Sequence, residues 1–415
     1  MPHTVRATPL ATLIAIVLAV VAAAAPARLA AQWTRPDSGA AVYLVTAGPG
    51  GDFFTWFGHA ALVVADGRRG RDYWYDYGII DGEWGTTAAH LTGRIRARVV
   101  RFTNPRRRLR LLEADDRTVL VQQLRLSPAQ TDALVRQLEA DVQAFAAGYD
   151  YRHVEDNCTT RIRDVIDRAS GGALRRGAST DLADRTVREH GYRRFLVRSV
   201  PFTMFADIVT GRAIDRPMSE WDAMFLPEEL AKQVRRATLA DGAPLAADVY
   251  RFDSRHHVLP AHPPRHHLPL ASLGIALGAL ALVLGRRARG GSARARVALG
   301  VHASVVALVL GAAGLVLAFM WGMTAYTFSH ANENVLLANP LVLATLPLAV
   351  AYAAGSRRAA RVLPVAWTAL AALALLTLVL KLLPGFSQDN WRFIALAVPT
   401  SVGLAAALRM ARGRL

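Results

Sequence analysis

Cys158 and His59 are the two side chains in this sequence whose type and setting are best suited to chemistry. Cys158 is the only cysteine among 415 residues, so no disulfide forms within the chain. It lies in the stretch from Tyr151 to Asp164, YRHVEDNCTTRIRD, where a polar turn gives way to a helical pattern. Asp156 or Asn157 caps that helix, and Ile162, Val165 and Ile166 supply one apolar face. Cys158 then sits at or just inside the first turn, where free backbone N–H groups and the positive end of the helix dipole favour a thiolate. A lone cysteine is often only a small buried hydrophobe. An apolar core position is not normally bracketed by Asp156, Asn157, Thr159 and Thr160, and that setting favours a nucleophile.

A thiol nucleophile needs a base, and a neutral imidazole within hydrogen-bond reach is the usual one. His59 follows Gly58 at the start of a strongly apolar strand, which fixes the ring and leaves room for a substrate. His90, His153 and His190 compete, although His153 precedes the capping turn and is expected to point away from Cys158. A purely structural histidine is the competing reading of position 59. Asp76 on the neighbouring strand is expected to orient His59. Backbone N–H groups at the helix start, including that of Cys158, with the Asn157 side chain as a further donor, are the candidates for holding an oxyanion.

The elements that must position these groups read as strands first and helices after. Ala41–Val45 is a strand, followed by a glycine-rich turn at Gly48–Gly51 that lacks the lysine and Ser/Thr of a nucleotide phosphate loop. Two further strands come at Tyr73–Tyr77 and Ile95–Val100. Ser127 and Pro128 begin an amphipathic helix to about Phe145, because serine caps well and proline is favoured at the first helical position. The Cys158 helix comes next. No His-Glu-x-x-His pattern occurs, and His256, His257, His262, His266 and His267 crowd a proline-rich linker without thiolates, so no metal site is expected. No cofactor is expected either.

Composition points to a membrane protein with a large aqueous part. Hydrophobic residues make up 53% and charged residues 20%, unevenly distributed. Pro9–Ala25 is an apolar run that reads as a secretory signal, cleaved after Ala27 or Ala31, or as an uncleaved anchor; either exports the domain that carries Cys158. The expected organisation is residues 1–31 as signal or anchor, 32–255 as a periplasmic cysteine domain, 256–267 as a juxtamembrane linker and 268–415 as a membrane domain.

That last part holds five apolar stretches near bilayer length, about Leu268–Gly285, Val297–Trp321, Leu336–Ala354, Val362–Leu383 and Phe393–Leu408. The third is the weakest, being short and interrupted by Pro340 and Pro347. Arginines cluster after the first, third and fifth stretches: Arg286, Arg287, Arg289, Arg294 and Arg296; Arg357, Arg358 and Arg361; Arg409, Arg412 and Arg414. They are read as cytoplasmic, with the C-terminus. The loops at His330–Asn334 and Gly385–Asn390 then face the exported domain. The net charge of +17 is largely accounted for by those inner arginines and does not call for nucleic acid. Arg94, Arg96 and Arg98, with Arg106, Arg107 and Arg108, read as a surface near anionic head groups or as a simple solvated face.

The sequence resembles the Lnb-type family of bacterial lipoprotein N-acyltransferases. The resemblance rests on Trp56 to Leu62 (WFGHAAL), Tyr75 to Gly78 (YDYG) and Tyr151 to Asp164 around Asn157-Cys158-Thr159. It continues at Asp215 to Pro217, Trp221, Met224 to Pro227, His330, Asn332, Asn334, Asn339-Pro340 and Gln388 to Arg392. It implies an α+β papain-like domain, similar to permuted NlpC/P60 folds, followed by an all-helical membrane domain of about five spans in the bacterial inner membrane. It carries Cys158 over as nucleophile and His59 as base. It further implies acyl transfer through a Cys158 thioester, from a phospholipid donor to the α-amine of a diacylated lipoprotein. Trp56, Tyr77, His330, Asn332, Asn334, Gln388 and Asn390 become candidates for positioning substrate. His153 and Glu155 stand where the resemblance leads one to expect more aromatic or apolar residues. A membrane-tethered cysteine amidase acting on peptidoglycan, and a non-enzymatic binding or transport protein, are the alternative readings.

Overall fold

The computed structural model describes residues 33–80, 84–178, 182–195, 199–262 and 267–412. The proposed signal or anchor, His266 and Arg414 lie outside the described residues. A seven-stranded antiparallel sheet organises the first half. Its strands are β1 (Ala40–Ala47), β2 (His59–Asp66), β3 (Arg71–Ile79), β4 (Arg96–Phe102), β5 (Val119–Leu124), β6 (Tyr149–Asp150) and, after a β7–β8 ribbon of Leu182–Thr186 and Pro217–Ser219, β9 (Ala246–Phe252). They lie in the order β6-β4-β3-β2-β1-β5-β9.

Period-two alternation sends side chains to both faces of this sheet, and both faces are covered. Val42, Leu44, Ala60, Leu62, Val64, Tyr75 and Tyr77 pack on one face against Leu134 and Leu138 of α3 (Pro128–Ala144) and Ile162 and Ile166 of α4 (Cys158–Ala169). Tyr43, Val45, Ala61, Val63 and Trp74 pack on the other, with Leu109 of α2 (Pro105–Ala114). Burial on both sides is why β2 reads as an unbroken apolar run. Helix α3 starts as its sequence requires, with a capping box between Ser127 and Gln130 and proline in the first turn. Helix α1 (Trp84–Thr92) leads from β3 to β4, while α5 (Val187–Phe195), the short apolar α6 (Val200–Val209) and α7 (Pro227–Arg236) complete the domain.

Among the described residues, five stretches are long and apolar enough to cross a membrane: α8 (His267–Arg289), α9 (Ala293–Met323), the segment Glu333–Ala353, α11 (Arg357–Leu380) and α12 (Trp391–Ala411). The third is two 3-10 turns, Glu333–Leu336 and Pro340–Ala344, leading into the nine-residue α10 (Thr345–Ala353). Asn339 caps the second turn and Pro340 occupies its first position, so the proline that weakened this stretch on paper is where the helix is rebuilt. Helices α8 and α12 run parallel and touch at their backbones. A Cβ on Gly274 would fall 2.6 Å from the Leu396 carbonyl oxygen, and one on Gly285 2.7 Å from that of Ala407. Gly274 and Gly278 form the Gly-x-x-x-Gly spacing that lets membrane helices approach this closely. Arg296 lies against Gly355, so the basic turns after the first and third spans are neighbours at the end of the bundle away from the sheet.

Candidate active site

Asn157 sets the first turn of α4. Its Oδ1 accepts from the backbone N–H of Thr159 at 2.8 Å and of Thr160 at 2.9 Å, while the Thr160 hydroxyl accepts from the Asn157 N–H at 2.8 Å. Its Nδ2 donates to the carbonyl oxygens of His153 at 2.8 Å and Phe225 at 3.0 Å. Both ends of the amide are therefore committed. Asn157 is the cap, and the structure removes it as an oxyanion donor.

Cys158 is the first residue of the helix and only 7% exposed. The His59 imidazole at the tip of β2 is close enough to its thiol for the two groups to act on each other electrostatically. His59 Nε2 lies 2.7 Å from Asp76 Oδ1, which leaves Nδ1 for the sulfur. Asp76 is fully buried on β3, where Ala61 is its cross-strand partner. It is held from two more directions, by Trp74 Nε1 at 2.8 Å and by the guanidinium of Arg108 on α2. The three catalytic candidates thus come from a helix start and two adjacent strands.

Two glycines make the approach possible. Gly58 has φ +82°, and a Cβ there would fall 2.6 Å from the Ala47 carbonyl oxygen, so the chain turns tightly into His59. Gly78 has φ +84° beside a register shift in the β3–β4 pairing. A Cβ there would stand 3.0 Å from Tyr151 Cε2 and 3.3 Å from Cys158 Cβ. Cys158 occupies the space that a side chain at position 78 would fill.

Electrostatics turn this geometry into an ion pair. Burial alone pushes the His59 imidazolium down, but the carboxylate of Asp76 and the sulfur of Cys158 overcome it, and the group is pushed up to about 10. Burial would likewise push the Cys158 thiol up; His59 reverses this, helped by the Thr159 hydroxyl and the Ala60 N–H, and the thiol is held below its ordinary value. Asp76 stays ionised despite its burial because His59 and Arg108 face it. The shifts favour a thiolate on Cys158 beside an imidazolium on His59.

Tyr151 is the residue that sequence reasoning passed over, although it opens the stretch around Cys158. Paired backbone hydrogen bonds between Arg152 and Asp156, at 3.0 and 3.1 Å, close a loop that returns the chain to Tyr151. Its ring stands beside Cys158, both lying against Gly78. Burial and then the charge on Cys158 push the phenol well above its ordinary value, so it remains a donor. The Tyr151 hydroxyl and the Cys158 N–H are the candidates for holding a tetrahedral oxyanion.

The remaining sequence candidates lie elsewhere. Tyr77 points into the core and donates to Asp141 at 2.6 Å, so it does not position substrate. Trp56 is buried among Phe53, Phe195 and Phe202. His153, expected to point away from Cys158, stacks on Tyr326 of the loop after α9, with ring centroids 6.1 Å apart, and meets the edge of Tyr151 at 5.5 Å. Arg108 turns inward to Asp76, whereas Arg106, over the Trp33 ring at 5.2 Å, and Arg107 stay exposed, so of that arginine run only Arg108 leaves the surface.

The loop amides form a latch between the two halves. Asn332 Nδ2 donates to the Ile208 carbonyl at 2.8 Å, Asn334 Nδ2 to that of Asp207 at 2.7 Å, and Gln388 Nε2 to that of Thr210 at 2.9 Å. Asn390 Nδ2 donates to Asn334 Oδ1 at 2.7 Å. Gln388 also exchanges hydrogen bonds with Glu333, 2.8 Å and 2.9 Å, and Lys381 closes the group on Glu333. All four amides are buried, and all but the Oδ1 of Asn390 are spent on the protein. The expectation that Asn332, Asn334, Gln388 and Asn390 bind substrate gives way to a structural role. His330 belongs to the same interface, its carbonyl oxygen lying against Gly211.

Residues 30–189 match the family model of the Lnb N-terminal periplasmic domain, a span that contains His59, Asp76, Gly78, Tyr151 and Cys158. No curated protein and no solved structure matches the chain. Residues 30–189 are thus similar to the Lnb N-terminal periplasmic domain, and among the described residues they are followed by five stretches apolar and long enough to cross a membrane.

Proposed function

We propose that the chain is a lipoprotein N-acyltransferase that carries the acyl group on Cys158. The observation that supports this most is the Cys158–His59–Asp76 constellation, latched to the outward end of a membrane bundle. The Cys158 thiolate attacks an ester carbonyl of a phospholipid, and Tyr151 with the Cys158 N–H steadies the oxyanion. As the C–O bond breaks, the His59 imidazolium gives its proton to the departing oxygen, and a lysophospholipid leaves. The α-amine of a diacylglyceryl-cysteine lipoprotein then attacks the thioester. Its proton passes to His59, the C–S bond breaks, and the thiolate–imidazolium pair is restored.

Both proposed substrates keep their chains in a bilayer, which accounts for five spans where an anchor needs one. The basic turns at the far end of the bundle support a cytoplasmic C-terminus and an inner-membrane location. The test uses the full chain in lipid nanodiscs with acyl-labelled phospholipid. Intact-mass spectrometry should find one acyl adduct, absent from C158A, and a diacylated lipopeptide should discharge it as an N-acyl product. Adduct discharged only to water, with cleavage of peptidoglycan peptides, would establish the amidase alternative. Full N-acylation by C158A would end the proposal and leave the binding or transport reading.

A further inference from the structure

The exported domain exposes a band of large apolar side chains that its own core does not use. Phe53, Phe54, Leu91 and Phe205 are 50%, 74%, 60% and 48% exposed, and Val200 joins them at 42%. They come from three separate segments, the turn before His59, helix α1 and helix α6, and they are contiguous in space. The Phe53 ring lies 5.3 Å from that of Phe54 and 5.2 Å from that of Phe202, while the Phe202 and Phe205 centroids are 6.2 Å apart. The Phe54 ring also meets His90 at 5.3 Å, next to Leu91. An exposed patch of this composition on a water-soluble surface marks a contact.

Its neighbours say which contact. The Thr92 carbonyl accepts from the Ala325 N–H at 2.8 Å, and the His90 carbonyl from the Tyr326 hydroxyl. Helix α9 ends only two residues before Ala325, at Met323, which is exposed, as is Trp321 nearby on the same turn. Helix α6 packs directly on α9 and α12. The aromatic band therefore continues the outward rim of the membrane bundle, at the level where Trp and other aromatic side chains mark a bilayer interface. Inward it continues through Trp56, whose ring meets Phe53 and Phe202 at 5.3 Å, to His59 three residues on.

We infer that this band sits in the outer leaflet and is the threshold over which a phospholipid acyl chain passes from the bilayer toward Cys158. Its place in the leaflet follows from the rim alone; its cargo rests on the acyl-transfer reading. Aromatic rings suit that task because they lodge at the boundary between head groups and chains.

The first measurement is independent of catalysis. In the full chain, C158S with Phe54→Cys leaves one cysteine, which takes a nitroxide label for electron paramagnetic resonance in nanodiscs. Oxygen should relax the label more than an aqueous nickel chelate does, reporting a depth below the phosphates; the reverse would overturn the inference. The second compares Cys158 acylation by a bilayer phospholipid with acylation by a short-chain water-soluble thioester. Phe54→Ser with Phe205→Ser should lower the preference for the bilayer donor about tenfold, the scale of one lost phenylalanine burial. An unchanged preference would overturn the threshold. A wild-type chain acylated by neither donor would sink the acyl-transfer reading, while the label depth still decides the membrane contact.

Discussion

Substituting Asp76 by Asn removes one charge from the centre of the site and almost no volume. The carboxylate is what holds the His59 imidazolium against burial, at about 10 instead of its ordinary 6.5. Without it, burial takes the imidazole to 6.5 or below, so that at pH 7 roughly a quarter or less carries the proton. Cys158 then loses the cation that offsets its own burial and returns to its ordinary 9.0 or above. A thiol at that value is about 1% thiolate at pH 7. A less stabilised thiolate is also a better nucleophile, which returns part of the loss, so iodoacetamide alkylation at pH 7 should slow about tenfold. Acyl transfer, which also needs the correct imidazole tautomer, should fall by about 10³ or more.

The pH profile separates this account from a general loosening of the fold. In the wild type, alkylation persists well below pH 9 and declines only as the depressed thiol is protonated; in D76N it climbs through about pH 9. Stability tracks the same pair. His59 is raised in the folded state, so its contribution is fully present below 6.5 and is lost as the pH rises through about 10. Asp76 is depressed, so its contribution is present above its ordinary 3.8 and is lost as the pH falls through its lower folded value. Thermal melts of the two proteins should differ most between these limits. A D76N protein with normal circular dichroism and an unshifted alkylation profile would refute the ion pair.

Gly78→Ala forces a left-handed backbone on a residue with a Cβ and crowds Tyr151 and Cys158, which should cost about 1–3 kcal/mol and lower the melting temperature. Tyr151→Phe removes one oxyanion donor and should slow Cys158 acylation by about 10² while the alkylation profile stays in place. Asn334→Ala strands the Asp207 carbonyl and the Asn390 amide, at about 1–3 kcal/mol, and should raise protease cleavage around residues 207–211 without shifting Cys158 reactivity. Burial takes His153 down to about 4, so it is neutral at working pH; His153→Phe should therefore leave the acylation profile between about pH 5 and 8 unchanged in shape.

The placement of Cys158 and His59 was legible because local chemistry specifies it. A cap residue, one turn of polar side chains and an apolar stripe place Cys158 at a helix start, and a glycine before an apolar strand places His59 at its tip. Asp76 was legible through strand alternation, which puts it on the same face as Trp74 and opposite Tyr75 and Tyr77. Arg108 was not, because only the packing of α2 against the back of the sheet brings it to Asp76. Tyr151 was missed for a related reason: the Arg152–Asp156 pairing folds it onto Cys158, and nothing in its own position announces that loop. The loop amides were misread because an Asn at a membrane surface offers the same donors to a ligand and to a backbone. Burial separates the two, and burial is a tertiary property.

That latch changes what the membrane half does for the chemistry. Its bonds run from side chains of the membrane loops to backbone carbonyls of residues 207–210, so they fix the position of α6 rather than the identity of its surface. A second contact runs from Tyr326 through His153 to Tyr151, the oxyanion candidate itself. One side of the exported domain is thereby pinned to the bundle at α6 and the other beside Cys158, with the aromatic band between them. Two separated attachments resist rocking in a way that a single linker entering α8 cannot, and they hold Cys158 at one height above the membrane bundle. For the proposed reaction between two lipid-borne groups, that fixed height would replace part of the orientation that a soluble enzyme must obtain from binding each substrate.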